Sequence, residues 1–266
     1  MNHSYWQRQE PSKPLFPDIE WSKPERRDQS GALLVVGGNK LGFAGVAEAY
    51  QTALKTGVGQ VKVMLPDCLK KSIPPTMIDV IFAACTPSGG LSKEALPELR
   101  AVSDWANGVL LIGDAGRNAE TALAYEEFIS TYKGLIIVTR DAIDLVKNNP
   151  GLLAERPDTL IIASFAQVQK LFQGVYYPKM LTFNMQLLQL VEAMHKFTTT
   201  YPCTIMTLHK DTLVIAQAGS VITQPWNNPM AIWRGTVAAE ASAYALWNQT
   251  DILKAVTQSI ASRSTI

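Results

Sequence analysis

The chain is short of the residues that most often carry metal, redox or hydrolytic chemistry: three cysteines and three histidines in 266 residues. Cys68, Cys85 and Cys203 are far apart, odd in number and in no metal-ligand spacing. Free buried thiols in a reducing compartment are therefore expected, and a metal site is not. His3 sits near the N-terminus and His195 is expected on a helix face. No Ser-His-Asp or Cys-His pairing emerges. An excess of one charge is also missing, since 24 basic residues stand against 23 acidic ones, spread along the chain. That leaves no basic stripe for nucleic acid and no polybasic segment for a membrane surface. Met1 to Pro24 is polar, Pro-rich and charged. It reads as neither a secretory signal nor a membrane span, so a cytoplasmic protein is expected. No internal repeat, low-complexity tract or linker is visible.

What the sequence has is apolar material and rhythm. Hydrophobic residues make up 47% and charged residues 18%, enough for a sizeable core. Residues 1–27 read as an irregular arm broken by Pro11, Pro14, Pro17 and Pro24. The aromatics Trp6, Phe16 and Trp21 are candidates to pin it to the body or to a neighbouring subunit, and a homo-oligomer is expected. From residue 28 to 266 a single α/β domain is expected. Ala32–Val36 reads as a strand buried on both faces, ended by Gly37-Gly38. Gly45 to Thr56 has helical spacing, with Gly57 as a stop. Strands are predicted at Gln60–Leu65, Asp79–Ala84, Val109–Ile112, Leu135–Thr139 and Thr159–Ala163. Helices are predicted at Leu91–Ala106, Asn118–Tyr132 and Ala142–Val146. Helices between short buried strands imply right-handed crossovers and a mainly parallel sheet with helices on both faces. After Pro178 the spacing predicts one helix over Leu181–Phe197 and an antiparallel meander of Thr204–Leu208, Leu213–Ala216 and Val221–Thr223. Two closing helices follow, about Ala231–Trp247 and Asp251–Ser262.

In an open parallel sheet, ligands sit beyond the carboxyl ends of the strands. Three glycine-bearing turns fall on that edge: Gly37 to Gly45, Ile112 to Arg117, and Asn227 to Thr236. Glycine lets backbone approach a ligand, and a helix start offers free N–H groups to an anion. The first turn matches neither a Walker A loop nor Gly-x-Gly-x-x-Gly. A tight turn without a ligand is the alternative for any one of them. Trp226, Trp233 and Trp247 are expected to pack in the core or at a subunit interface.

The ordered series of these segments resembles the NAD(P)H-hydrate dehydratases of the ribokinase-like superfamily. It comprises Ser30 to Asn39, Gly45 with the helix to Thr56-Gly57-Val58-Gly59, Gly113 to Thr121, Asp141-Ala142-Ile143 and Asn228-Pro229-Met230-Ala231. It covers about Trp21 to Ile260. The resemblance implies a three-layer ribokinase-like fold and repair of hydrated NADH and NADPH driven by ADP or ATP, with Mg2+ as a further cofactor. It implies a dinucleotide site at Asn39, Gly45, Val46, Gly113, Gly116 and Ser164, and a nucleotide site at Lys210, Gly235 and Thr236. Such chemistry needs a carboxylate to take a hydroxyl proton and a hole of backbone N–H groups. Here the chain departs from the family. Thr236 or Val237 stands where the acid is expected, and Glu240, one helical turn on, is the weak candidate to replace it. Ala163-Ser164-Phe165-Ala166-Gln167 lacks the family's substrate-side histidine and nearby acid, and Thr139 replaces another aspartate. The expected protein is a catalytically impaired homologue that retains a dinucleotide or adenine-nucleotide pocket. A structural or regulatory subunit with a vestigial pocket is the alternative.

Overall fold

The computed structural model describes residues 4–263. Residues 1–3 of the expected arm and 264–266 of the expected domain lie outside them. Strand β1 is Trp6–Arg8, followed by β2 at Ala32–Gly37, helix α1 at Ala44–Thr56, β3 at Gln60–Pro66 and β4 at Val80–Ala83. Next come α2 at Leu96–Trp105, β5 at Gly108–Gly113, α3 at Ala119–Thr131, β6 at Leu135–Thr139 and the short helices α4, Asp141–Leu145, and α5, Gly151–Ala154. Then follow β7 at Thr159–Ser164, α6 at Phe165–Gly174, α7 at Leu187–Thr200, β8 at Thr204–His209, β9 at Thr212–Gln217 and β10 at Ser220–Pro225. Helices α8, Pro229–Trp233, α9, Thr236–Trp247, and α10, Ile252–Arg263, close the chain.

All ten strands of the described residues form one sheet in the order β1-β10-β9-β8-β7-β6-β5-β2-β3-β4. Every neighbouring pair is parallel except those that β9 makes with β8 and β10. Strand side chains alternate between two cores. Leu34, Val36, Leu111 and Val138 join the layer of α2, α3, α6 and α7, whereas Leu33, Val35, Leu110 and Ile137 join that of α1, α9 and α10. Each of these strand side chains is fully buried and contributes about 1.5–3 kcal/mol. This is the expected three-layer α/β arrangement, with the antiparallel strand near the C-terminus.

The differences have local causes. The arm is not wholly irregular, because Trp6–Arg8 adds a parallel edge strand to β10. Trp6 Nε1 donates to Thr223 Oγ1 at 2.9 Å, and Tyr5 stacks on His195 at 3.8 Å between ring centroids. Phe16 packs on Ile19, Tyr244 and Ala255, but Trp21 faces solvent at 88% exposure. The helix predicted over 181–197 starts six residues later. Thr182 and Met185 close a turn first, and Gln189 Oε1 accepts from Gln186 N–H at 2.9 Å. The helix predicted over 231–247 is two helices, broken where Gly235 turns left-handed at φ 85°. Of the cysteines, Cys203 is buried but Cys68 is exposed and Cys85 partly so. Burial pushes the Cys203 thiol up to about 12. Trp226 is buried, and Trp247 donates its indole N–H to the Ser30 carbonyl at 3.1 Å. No helix among the described residues is long and apolar enough to cross a membrane.

Candidate functional site

Chain direction around the sheet reverses between β2 and β5. The crossover from β2 leads through α1 to β3 on one side, while β5 lies on the other. Their carboxyl ends therefore diverge, leaving a crevice of the kind where open α/β sheets hold ligands. The register slips at Val36/Gly37 opposite Leu111 and Gly113, and the Gly38 N–H donates to the Gly113 carbonyl at 2.9 Å. A cleft of about 750 Å³ opens there, lined by Asn39, Gly42, Asp114, Gly116, Arg117, Arg140, Asp141, Asp144, Ser164, Gln167 and Lys170 among others. A neighbouring cavity of about 380 Å³ shares Gly116, Arg117, Asp141, Asp144 and Lys170 with it.

Side chains of the three strand ends knit the cleft floor together. Asn39 fixes the first turn: its Oδ1 accepts from Leu41 N–H at 2.7 Å, and its Nδ2 donates to the Asp114 carbonyl. The Asp141 carboxylate fills the second turn by accepting from Asp114 N–H at 2.7 Å and Ala115 N–H at 3.1 Å. Gly113, at φ 93°, leaves room for that carboxylate, since a Cβ there would stand 2.1 Å from Asp141 Oδ1. Burial chiefly, and the Asp141 charge in addition, push the buried Tyr125 phenol up, so it stays protonated beneath the site.

Above this floor lies an ion pair. Arg140 Nη2 donates to Asp114 Oδ1 at 2.5 Å, with the two side chains 24% and 19% exposed. Asp114 Oδ2 accepts from Gly45 N–H at 2.7 Å, at the first turn of α1. Arg140 Nη1 lies 1.7 Å from where a Cβ on Gly45 would be, so glycine is what admits the guanidinium. Gln167 holds the other side. Its Nε2 donates to the Arg140 carbonyl at 2.8 Å and to Asp144 Oδ2 at 3.0 Å, and Lys170 pairs with Asp144 at 3.3 Å. Ser164 caps α6 in a reciprocal box with Gln167.

The structure brings Asn39, Gly116 and Ser164 to the cleft wall, with Gly45 and Gly113 beneath the side chains that fill it. Val46 is fully buried in the core under α1, so it supports the turn and does not line the cleft. Gly235 abuts the floor from behind: a Cβ there would lie 2.5 Å from Ile112 Cδ1 and 3.9 Å from Arg140 Cδ. α9 starts with no side-chain cap, and Val237 and Ala238 of its first turn are buried, with neither Gly235 nor Thr236 lining the cleft. The Thr236 hydroxyl turns back to donate to the Ala231 carbonyl at 3.0 Å. Glu240 is half-buried one turn further along α9, and Lys210 is exposed in the two-residue β8–β9 turn at φ 56°. Neither Glu240 nor Lys210 lines the cleft.

Sequence reasoning missed Asp114, Arg140, Asp141 and Gln167 as site residues. Each follows a strand on the same edge, which is a usable signal. Their pairing carries none, because Arg140 and Asp114 are 26 residues apart. Arg140 is permanently cationic and cannot act as a base. With both Asp114 oxygens engaged, the arrangement is suited to hold an anion more than to move a proton.

No protein-family model matches the chain, and no curated protein matches it. Solved structures do. A ribokinase-like superfamily protein from Enterococcus faecalis is similar at 15% identity and TM-score 0.74, over 99% of this chain and 88% of that one. An ADP/ATP-dependent NAD(P)H-hydrate dehydratase from Bacillus subtilis, co-crystallised with ATP and Mg2+, is 15% identical with a TM-score of 0.62, over 95% and 87%. A pyridoxal kinase from Staphylococcus aureus, in complex with AMP-PCP and pyridoxal, is 12% identical with a TM-score of 0.54, over 86% and 85%. At these identities the likeness is one of fold, and the fold is ribokinase-like.

Proposed function

We propose that this chain is a homologue of the NAD(P)H-hydrate dehydratases that binds an adenine nucleotide or a pyridine dinucleotide and is impaired in the family reaction. One observation carries the reading. α9 opens uncapped at the left-handed Gly235, while Thr236, with its hydroxyl bound to the Ala231 carbonyl, or Val237 stands where the resemblance expects the carboxylate. Donors for phosphate are present at that helix start, and the proton acceptor is not.

In this reading Thr236 offers its main-chain N–H to nucleotide phosphate beside the left-handed Gly235, whose own N–H donates to the Ile232 carbonyl at 3.2 Å, with Lys210 as a further cation. Asn39, Gly116 and Ser164 wall the dinucleotide side. A nucleotide supplies the phosphoryl group that would turn a ring hydroxyl into a leaving group. Mg2+ would rest mainly on phosphate oxygens and water. Residues 28–266 act as one domain, and the chain self-associates in the cytoplasm.

The expected outcome is little ADP- or ATP-dependent conversion of hydrated NADH, since losing a general base costs about 10²–10⁴-fold in rate. Robust turnover abolished by Glu240→Gln would overturn the impairment. Thermal unfolding with NADH, hydrated NADH, AMP, ADP and ATP tests binding separately. A ligand at about 100 times its Kd adds about 2.7 kcal/mol of stability. No shift with any of them at millimolar concentration favours a structural or regulatory subunit, whose turns are filled from within by Asp114 and Asp141.

A further inference from the structure

We propose that Asp114 is an internal stand-in for the anionic group of a ligand, and that Arg140 is the residue that receives a phosphate group when Asp114 swings away. The inference rests on reading the cleft as a ligand site and names the chemistry its inner end would take.

The Asp114 carboxylate is held as a bound anion would be. One oxygen takes a helix-start N–H from Gly45 and the other a guanidinium N–H from Arg140. A cation over the N-terminus of α1 opposes the helix dipole, and the carboxylate between them removes that conflict. Any anion in its place would do the same. Glycine at position 45 admits the guanidinium to this position.

The pair can open without disturbing the main chain. Asp141 holds the Asp114 N–H and Asn39 its carbonyl, while Gln167 holds the Arg140 carbonyl. Both residues have φ of 55°, and these main-chain contacts do not involve the ion pair. Asp114 and Arg140 both line the 750 Å³ cleft, so the carboxylate has open space to swing into. Cations on the wall offset the cleft carboxylates: Lys170 pairs with Asp144, and Arg117 makes no ion pair among the described residues. Phosphate brings more charge and more acceptor oxygens than one carboxylate.

Inorganic phosphate and pyrophosphate are the probes, titrated into the full chain by calorimetry and thermal unfolding at constant ionic strength set with chloride. Asp114→Asn keeps the shape and tolerates positive φ. It is expected to bind phosphate at least about tenfold more tightly than the parent, because Arg140 loses its internal competitor. Arg140→Gln is expected to bind at least about tenfold less tightly, with Arg140→Lys between them, since lysine keeps the charge and loses the fork. Should Arg140→Gln fail to fold, the Asp114→Asn gain and the Arg140→Lys loss decide the matter. Equal phosphate affinity in the parent and Asp114→Asn overturns the proposal. Arg140-dependent phosphate binding with no response to ADP, ATP or NADH would sustain it and overturn the nucleotide reading. Nucleotide binding equal in the parent and Arg140→Gln would do the reverse.

Discussion

At Gly37 a single methyl group decides whether β2 and β5 can lie together. A Cβ there would stand 2.2 Å from the Gly113 carbonyl oxygen, a main-chain atom that cannot rotate away, and 3.0 Å from Ile112 Cγ2. Gly42, five residues on, has nothing within 4 Å of the same position. Gly37→Ala is therefore expected to lower stability by about 1–3 kcal/mol, as overpacked cores do. Gly42→Ala should stay within about 0.5 kcal/mol. Urea unfolding of both variants checks this, and equal losses would contradict the account. Gly37-Gly38 is legible in the sequence as a strand end. That the first is needed for close approach to another strand is not, because Gly113 lies far along the chain.

Elements show the same division. Ser164 and Gln167 are spaced as a capping box, and α6 follows them from Phe165 to Gly174. That signal was present in the sequence, although no helix was predicted there. Periodicity over 181–197 and 231–247, by contrast, extended each helix past a real stop, because an apolar period does not register caps or a left-handed glycine. Ser164→Ala removes the acceptor for the Gln167 N–H and is expected to cost about 1 kcal/mol. Chemical unfolding measures the loss, and hydrogen exchange should quicken first at the start of α6. Unchanged exchange there would mean that Gln167 holds the helix end through Arg140 and Asp144 alone.

For the molecule as a whole, the N-terminal segment is the least expected contributor. Tyr5 and Gln9 bond to β10 through Val221 N–H and the Thr223 carbonyl, both at 2.8 Å. Gln9 also reaches Gln224 and the Thr257 carbonyl, at 2.6 and 2.9 Å. Deleting residues 1–9 should deprotect the Val221 amide in hydrogen exchange. It should also promote concentration-dependent self-association in sedimentation, since a bare strand edge is a pairing template. Protection at Val221 equal to that of the intact chain would show that the edge is covered by something else.

The sequence by itself determined the alternation of buried strands and helices and the glycine turns on one edge. These are short-range facts, set by apolar period, turn chemistry and residue identity. Tertiary structure alone decided that β2 lies beside β5, that Trp6–Arg8 joins the sheet, and that Asp114 sits between Gly45 and Arg140, 69 and 26 residues away. The reason is physical. Charges and N–H groups pair by distance in space, and at the switch point that distance is fixed by strand order, which no local pattern encodes.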